Sequence, residues 1–258
     1  MTKSAQRPVF IGGTNGSGTR VLARMLEVGG VFQGREKNQA FEPTSIIQYT
    51  RPLVPELIKT TGGPVYDPDG LPSDFLALME DWLLKFAAQV KSERPPGVLR
   101  WGWKHPRNIF LAPLLHRVFE GSFFIQVLRD GRDMVLAANR GDFVAHRECF
   151  NPPIRSDDIG AAMFWSRLNS EVSDWCADHF GARYVYSRFE DLCSDPIAEL
   201  ERIADVIELP LTAEMKNRCT EFITPPATIG RWKTLSVSRR NEVASVAARG
   251  LQKFGYLG

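Results

Sequence analysis

The segment that most restricts the fold of this chain lies near its start, where the apolar stretch Val9–Ile11 is followed by a glycine-rich loop at 12–20 and a short amphipathic helix at 20–26. The loop glycines can adopt positive φ angles and allow close backbone approach, so successive N–H groups can converge on an anion; these glycines are Gly12, Gly13, Gly16 and Gly18. The start of the helix adds the positive end of its dipole at the same point. The segment therefore predicts a strand, a loop and a helix that bind phosphate within an α/β fold.

The loop differs at two positions from that of nucleotide-hydrolysing proteins. Those loops read G-x-x-x-x-G-K-[ST], with a Lys for the terminal phosphates and a hydroxyl for Mg²⁺. Here Gly13 and Gly18 have the same spacing, but Thr19 replaces the Lys and Arg20 replaces the hydroxyl residue. We therefore expect phosphate binding without a metal ion. A glycine-rich turn with no ligand is the alternative interpretation of the loop alone.

The composition sets broad limits on the class of protein. The 258 residues, 43% of them hydrophobic, fit one domain with a sizeable core. Two segments rich in Pro, Gly and polar residues, at about 41–70 and 142–158, are predicted as insertions that form lid or acceptor-binding loops. A net charge of +2 without basic clusters argues against nucleic-acid binding, and the four widely spaced cysteines indicate neither zinc nor disulfides. No leader is evident and no apolar run reaches about 18 residues, which predicts a cytoplasmic protein without a membrane span.

Short apolar runs alternate with helical periods, which predicts a mainly parallel sheet between two layers of helices, as in the three-layer sandwich of phosphate-loop proteins. The predicted strands are Val9–Ile11, Leu99–Trp103, Phe123–Leu128 and Arg183–Tyr186. The segment Pro72–Val90 has its apolar residues at helical spacing and is predicted as a core helix. Ligands of such sheets bind beyond the carboxyl ends of the strands. This rule selects the glycine loop, Lys104, Arg129 and Ser187-Arg188 as candidate site residues.

Arg129 directly follows the buried strand Phe123–Leu128 and is predicted to clamp a phosphate with its planar guanidinium. Asp130 and Asp133 look like a capping pair at the start of a helix that continues through Asn139. For Arg132 an ion pair with these aspartates is the favoured interpretation.

Five motifs, taken in order, resemble those of the sulfotransferases that use 3′-phosphoadenosine 5′-phosphosulfate (PAPS), in particular the bacterial, tyrosylprotein-type and heparan-type members. The motifs cover residues 16–20, 101–107, 127–133, 186–192 with the following Pro196, and 229–236 with the terminal Gly255-Tyr256-Leu257. Together they span most of the chain. The resemblance implies a single sulfotransferase domain over residues 1–258. It also implies a reaction that needs no metal and releases 3′-phosphoadenosine 5′-phosphate (PAP).

The resemblance also implies roles for individual residues. Lys104 would neutralise charge at the bridge between phosphate and sulfate, and PAPS or PAP would contact Asn15, Gly16, Ser17, Gly18, Thr19, Arg20, Arg129, Ala137, Phe189, Arg231, Trp232 and Lys233. Three of these positions depart from the family pattern. Ala137 stands where a Ser usually contacts the 3′-phosphate, Phe189 where a Tyr is usual, and Gly16 where many members have Lys or Arg. Asn139 or the segment Arg231–Lys233 is the candidate replacement for the missing hydroxyl.

The general base and the acceptor stay open at the level of sequence. A hydroxyl or amine acceptor needs a base within hydrogen-bond reach, and the candidates are Glu36, which the family pattern favours, then Glu42 and His105. Small-molecule, carbohydrate, lipid and peptide acceptors all stay open, and the oligomeric state cannot be read. A phosphate-loop kinase and a non-catalytic module that binds PAP or another nucleotide are the alternative functions. The kinase would require a Lys-Ser/Thr pair that the loop lacks.

Overall fold

A parallel sheet forms the centre of the protein in a computed structural model that describes residues 7–221 and 223–257. Within these residues the sheet has five strands in the order β2-β3-β1-β4-β5, and every neighbouring pair is parallel. The strands are β1 (Pro8–Gly13), β2 (Val31–Phe32), β3 (Arg100–Lys104), β4 (Phe123–Leu128) and β5 (Tyr184–Arg188). The prediction of a mainly parallel sheet is therefore confirmed. The short strand β2 was not predicted, and β5 begins and ends later than the sequence suggested.

Helices connect the strands and cover both faces of the sheet. They are α1 (Thr19–Val28), α2 (Ile47–Thr61), α3 (Ser73–Glu93), α4 (Asn108–Val118), α5 (Gly131–Val135), α6 (Gly141–His146), α7 (Asp158–Phe180), α8 (Phe189–Ser194), α9 (Pro196–Val206), α10 (Ala213–Thr220), α11 (Val237–Val246) and α12 (Ala248–Lys253). In the part of the chain that the structure describes, no helix combines the length and the apolar composition needed to cross a bilayer.

The alternation of side chains along β1 produces the two apolar layers. Val9 and Ile11 pack on one face against helices α1, α9 and α10, whereas Phe10 packs on the other face against α3, α4 and α7. Because successive side chains of a strand point to opposite faces, a short fully apolar strand supplies both cores at once. Phe10 contacts Trp103 with the ring centroids 4.5 Å apart, which joins β1 and β3 on the larger side of the sheet.

Two predictions of local structure are wrong. Most of the segment 43–70 is helical rather than loop, because α2 buries Val54, Leu57 and Ile58 at helical spacing and this burial outweighs the prolines at 52 and 55. The helix after Asp130 does not reach Asn139 but ends at Val135. Asn139 instead turns the chain, with its side-chain oxygen accepting a hydrogen bond from the N–H of Gly141 at 3.3 Å.

The strand register brings the selected residues to one edge of the sheet. Lys104 pairs with Ile11, and Gly13 pairs with Val127 one residue before the end of β4. Arg188 lies opposite Leu128 at the same edge. The glycine loop, the end of β3, Arg129 and the start of α8 are therefore neighbours although they are far apart in sequence.

Candidate active site

The glycine loop joins β1 to α1 in a tight turn that leaves two buried hydroxyls free. The N–H of Ser17 donates to the carbonyl of Thr14 at 3.0 Å, and Gly18 precedes the helix with a φ of 96°. A Cβ at Gly18 would lie 2.2 Å from the ring of Phe189, so both the backbone angle and the contact require glycine. The hydroxyls of Thr14 and Ser17 are buried without a hydrogen-bond partner among the described residues. Free hydroxyls at the start of a helix are suited to an anion.

Asp142, the first residue of the predicted loop 142–158, also reaches the glycine loop. Its Oδ2 accepts a hydrogen bond from the N–H of Asn15 at 2.8 Å, while Oδ1 is buried without a partner among the described residues. Burial raises the pKa of Asp142 to about 6 from its usual 3.8, although the bond from Asn15 opposes the change. A buried carboxyl therefore lies directly against the predicted phosphate-binding backbone.

We expect Asp142→Asn to stabilise the protein at pH 7.5 and to remove part of its pH dependence. A carboxyl whose pKa is raised to about 6 in the folded state holds its proton more tightly there than in the unfolded state, so its contribution to stability is present near pH 4 and is lost as the pH rises through 6. The rise in the pKa of Asp142 corresponds to a change of about 3 kcal/mol in the free energy of unfolding between low and high pH. Thermal melting between pH 4.5 and 8 measures it, with the exposed Asp205→Asn as the control. Identical melting curves for wild type and Asp142→Asn at every pH would contradict the assignment.

The end of β3 places Lys104 in an ion pair with Glu42. Lys104 is 2% exposed, and its Nζ donates to Glu42 Oε1 at 2.9 Å and to the carbonyl of Ala40 at 2.9 Å. Asn38 donates to the second oxygen, Oε2, at 3.0 Å. Burial raises the pKa of Glu42, but Lys104, His105 and Asn38 lower it further, so the net pKa lies below the usual value. Burial likewise lowers the pKa of Lys104.

A hairpin-like turn over residues 36–44 explains why Glu42 rather than Glu36 reaches Lys104. The Asn38 side chain accepts hydrogen bonds from the N–H groups of Ala40 and Glu42, which fixes the turn. Glu42 then faces Lys104, whereas Glu36 is exposed and lines a different cavity, to which neither Lys104 nor the glycine loop contributes. Of the two carboxylates, Glu42 is thus the one in contact with Lys104.

His105 lies beside this pair, but both of its ring nitrogens are engaged. The N–H of Arg107 donates to Nδ1 at 3.1 Å, and Nε2 lies 3.3 Å from the hydroxyl of Thr50, which itself donates to the carbonyl of Ile46. Nδ1 thus accepts, so Nε2 carries the proton and donates to Thr50. Burial lowers the pKa of His105 to about 3, so the ring is neutral. Its lone pair is therefore not available to an acceptor in this arrangement.

The second cationic group of the site is Arg129 at the end of β4. Arg129 is 7% exposed and donates to the hydroxyl of Thr228 at 2.9 Å, while its Nε is buried without a partner among the described residues. Its guanidinium lies 5.4 Å from the centroid of the Phe189 ring. Arg129, the predicted phosphate clamp, therefore retains a free hydrogen-bond donor, Nε, beside the apolar ring of Phe189.

Asp133 fastens the segment 228–234 over Arg129 instead of capping the helix. Its fully buried carboxylate accepts the N–H groups of Gly230 at 2.7 Å and Trp232 at 3.0 Å, and its carbonyl accepts both Nε and Nη2 of Arg231. Of the predicted capping pair Asp130 and Asp133, only Asp130 caps the helix, because its side chain accepts a hydrogen bond from the N–H of Arg132. Arg132 also pairs with Asp130 at 2.7 Å, as the sequence predicted.

The other residues predicted to contact PAPS differ in their exposure and in their distance from the cavity over the glycine loop. Arg20 is exposed and lines the same cavity as the loop and Lys104, as do Asn139 and Phe189. Ala137 lies beyond the end of α5 and is half-buried. Lys233 is exposed at the tip of the segment 228–234.

Three cavities meet around Asn15. One of about 340 Å³ lies over the glycine loop and is lined by Lys104 and Glu42. A second, of about 230 Å³, lies on the other side of Glu42 and is lined by His105 and Arg107. A third, of about 30 Å³, lies beside Asn15 and is lined by polar residues of the loops and by the apolar side chains of Phe143, Phe164 and Trp165. Glu42 is thus at the boundary between the two larger cavities.

Sequence reasoning missed the contacts of Asp142 and Asp133 and the part of α2 that closes the second cavity. Asp133 was visible only as a possible cap, and Arg107 only as the last residue of a motif. For Asp142 no local pattern points to the glycine loop, because the contact joins residues 127 positions apart.

The chain is similar to known sulfotransferases in both sequence and fold. Residues 8–213 match the model of the Sulfotransferase family. No curated protein sequence matches the chain. The fold is similar to the sulfotransferase domain from the curacin biosynthetic pathway, with a TM-score of 0.57, 14% identity and coverage of 94% of this chain and 97% of that one.

Two further solved structures have a similar fold. The sulfotransferase domain of the Synechococcus PCC 7002 olefin synthase has a TM-score of 0.57 and 18% identity, with 97% of this chain and 95% of that chain covered. The mouse sulfotransferase SULT7A1, complexed with PAP, has a TM-score of 0.50 and 10% identity, with 97% and 86% covered. At these identities the likeness shows the fold alone.

Proposed function

The chain belongs to the sulfotransferase family, and we propose that it transfers the sulfuryl group of PAPS to a hydroxyl or amine of an acceptor and releases PAP. The observation that carries this proposal is the buried pair of Lys104 and Glu42 at the boundary between the cavity over the glycine loop and the polar cavity beside it. One cavity would hold the donor and the other the acceptor.

The chemistry of the first cavity suits the phosphate groups of this donor. The free hydroxyl of Ser17 and the backbone of the glycine loop would bind the 5′-phosphosulfate. At the ends of β4 and β5, Arg129 Nε and the hydroxyl of Ser187, both without a partner among the described residues, would meet the 3′-phosphate, with Phe189 beside the adenosine. The mouse enzyme of similar fold was solved with PAP. The remaining residues 15–20 and 231–233 would complete the donor site, and Asn139, which lines the cavity over the glycine loop, would replace the hydroxyl that Ala137 lacks.

Lys104 and Glu42 would have different roles in the transfer step. Glu42 accepts the proton of the acceptor as the acceptor oxygen or nitrogen bonds to sulfur. Lys104 stabilises the charge on the phosphate oxygen as its bond to sulfur breaks. When Lys104 turns to that oxygen, its effect on the pKa of Glu42 weakens while the effect of burial remains. Glu42 therefore becomes a stronger base at the moment it is needed.

We expect Arg129→Ala to weaken PAP binding by at least about 10-fold, because a charged hydrogen bond to a buried anion typically contributes about 1.5–3 kcal/mol. Isothermal titration calorimetry with PAP measures the Kd. The control is Arg202→Ala, which removes an arginine paired with Glu199 at 2.6 Å on α9. An unchanged Kd in Arg129→Ala would contradict its role at the donor.

Thermal melting with nucleotides tests the proposed function and separates it from a kinase. A ligand that binds only the folded state raises the melting temperature according to RT ln(1 + [L]/Kd). PAP without metal is expected to raise the melting temperature, and ATP with Mg²⁺ is not. A shift with ATP and Mg²⁺ alone would favour the phosphotransferase. PAP binding without release of PAP from PAPS in the presence of any acceptor would favour a binding module.

A further inference from the structure

We propose that the acceptor carries an anionic group, a carboxylate or a phosphate, and that Arg51 and Arg107 bind this group in the cavity beside Glu42. The inference rests on the proposed function, since it assigns this cavity to the acceptor. It narrows the open set of small-molecule, carbohydrate, lipid and peptide acceptors to compounds that bear both a hydroxyl or amine and an oxyanion.

The cavity has the size and the lining for a small polar molecule. It measures about 230 Å³, and its walls include Asn38, Glu42, Thr50, Arg51, His105 and Arg107. Most of this lining is polar, unlike the predominantly apolar walls typical of small-molecule sites. A molecule in this cavity would reach the Glu42 carboxylate directly.

The charge in the cavity is positive and uncompensated. Within residues 7–221 and 223–257, neither Arg51 nor Arg107 has a carboxylate within 4.0 Å, and Asp142 acts on Arg107 only from a longer distance. Glu42 is neutralised by Lys104, and His105 is uncharged at neutral pH. Two guanidinium groups therefore line the cavity without an ion-pair partner in the described chain, and guanidinium groups bind carboxylates and phosphates bidentately.

The segment 142–158, predicted as a loop, begins within α6, and the arginines on and beside it offer a contrast. Arg140 pairs with Asp158 at 2.8 Å, Arg147 with Glu148 at 2.5 Å, and Arg155 with Asp157. All of these are occupied by surface carboxylates. The cavity beside Glu42 thus differs from this segment, because its two arginines have no carboxylate partner among the described residues.

The wall that carries the two arginines is held in place by Thr50. The hydroxyl of Thr50 accepts from His105 and donates to the carbonyl of Ile46, while the carbonyl of Thr50 accepts from Arg107 Nη1 at 3.1 Å. Arg51 follows directly on α2. The bond to Thr50 thus holds the Arg107 guanidinium before any ligand binds, whereas Arg51 is exposed and lines the same cavity.

The third cavity, beside Asn15, does not offer an alternative. It is lined by Phe143, Phe164 and Trp165, but neither Lys104 nor Glu42 contributes to it. An acceptor bound there would lie away from the proposed base. The polar cavity is the better match for an acceptor next to the base.

Ligand binding to the PAP complex tests this inference. We would saturate the 258-residue chain with PAP, titrate glycerol 3-phosphate, glycerate and glycerol at constant ionic strength, and follow the melting temperature. The two anionic probes are expected to bind at least about 10-fold more tightly than glycerol. Arg51→Gln is expected to lower the affinity for both anionic probes at least about 5-fold. The control Lys59→Gln removes an exposed charge farther along α2 and is expected to change this affinity less than about 2-fold.

The arms of the experiment separate the possible failures. Equal or absent binding of all three probes to the PAP complex would overturn the inference. An anion preference that persists in Arg51→Gln would also overturn it, since the anion would then occupy the sulfate position near Lys104. A failure of PAP to bind in the first step would contradict the proposed function itself. Tighter binding of glycerol 3-phosphate or of glycerate, lost in Arg51→Gln, supports the inference and identifies which oxyanion the site prefers.

Discussion

Glu42→Gln is expected to lower kcat by about 10³-fold, within the range typical for loss of a general base. The amide has almost the same shape as the carboxylate but cannot accept the proton of the acceptor. The Asn38 side chain can donate to the amide oxygen of the glutamine as it does to Glu42 Oε2. We therefore expect the variant to fold and to bind PAP with a Kd close to that of the wild type. PAP release in steady state and calorimetry with PAP measure the two quantities.

Glu36→Gln is the matched control because it makes the same chemical change six residues earlier, at the exposed position that the sequence favoured. We expect its kcat to remain within about 2-fold of the wild type. If Glu36→Gln were inactive and Glu42→Gln active, the base would be Glu36 and the turn over 36–44 would have to open during the reaction. Activity in both variants would return the role to His105.

Lys104→Met is expected to lower kcat by about 10²- to 10³-fold, the loss typical when one group that stabilises transition-state charge is removed. Methionine fills the volume of the buried stem without the charge. Lys104 also lowers the pKa of Glu42, so the acidic limb of the pH–rate profile should move to higher pH in the variant. The sign follows because removal of a neighbouring cation makes the carboxylate easier to protonate.

The control for this substitution is Lys37→Met, which removes a lysine of the turn over residues 36–44 that is paired with Glu27 at 2.6 Å rather than with Glu42. It should leave both kcat and the pH profile unchanged. A Lys104→Met variant that keeps kcat but loses affinity for PAP would show that Lys104 binds the donor without acting in the transfer step.

Parts of the fold were accessible from sequence because they depend on short-range patterns. The strand Phe123–Leu128 was predicted with its observed bounds, since an almost unbroken apolar run that ends at a charged residue is typical of a strand buried on both faces. The segment 43–70 was misjudged because its prolines suggested a loop, whereas the packing of Val54 and Leu57 against the core maintains α2. Propensity is a weak signal where tertiary packing opposes it.

The sequence by itself determined the glycine loop between β1 and α1, the parallel sheet and the cations at the ends of β3 and β4. These features follow from glycine conformation, from apolar periodicity and from the rule that parallel strands end at one edge. Only the tertiary structure decided which of Glu36, Glu42 and His105 meets Lys104, and that Asp133 holds the segment 228–234 over Arg129. The irregular chain from 33 to 43 has no fixed period, so the direction of each carboxylate there depends on a turn that the Asn38 side chain closes. The charge of the acceptor cavity likewise depends on contacts between α2 and the end of β3, which lie more than 50 residues apart.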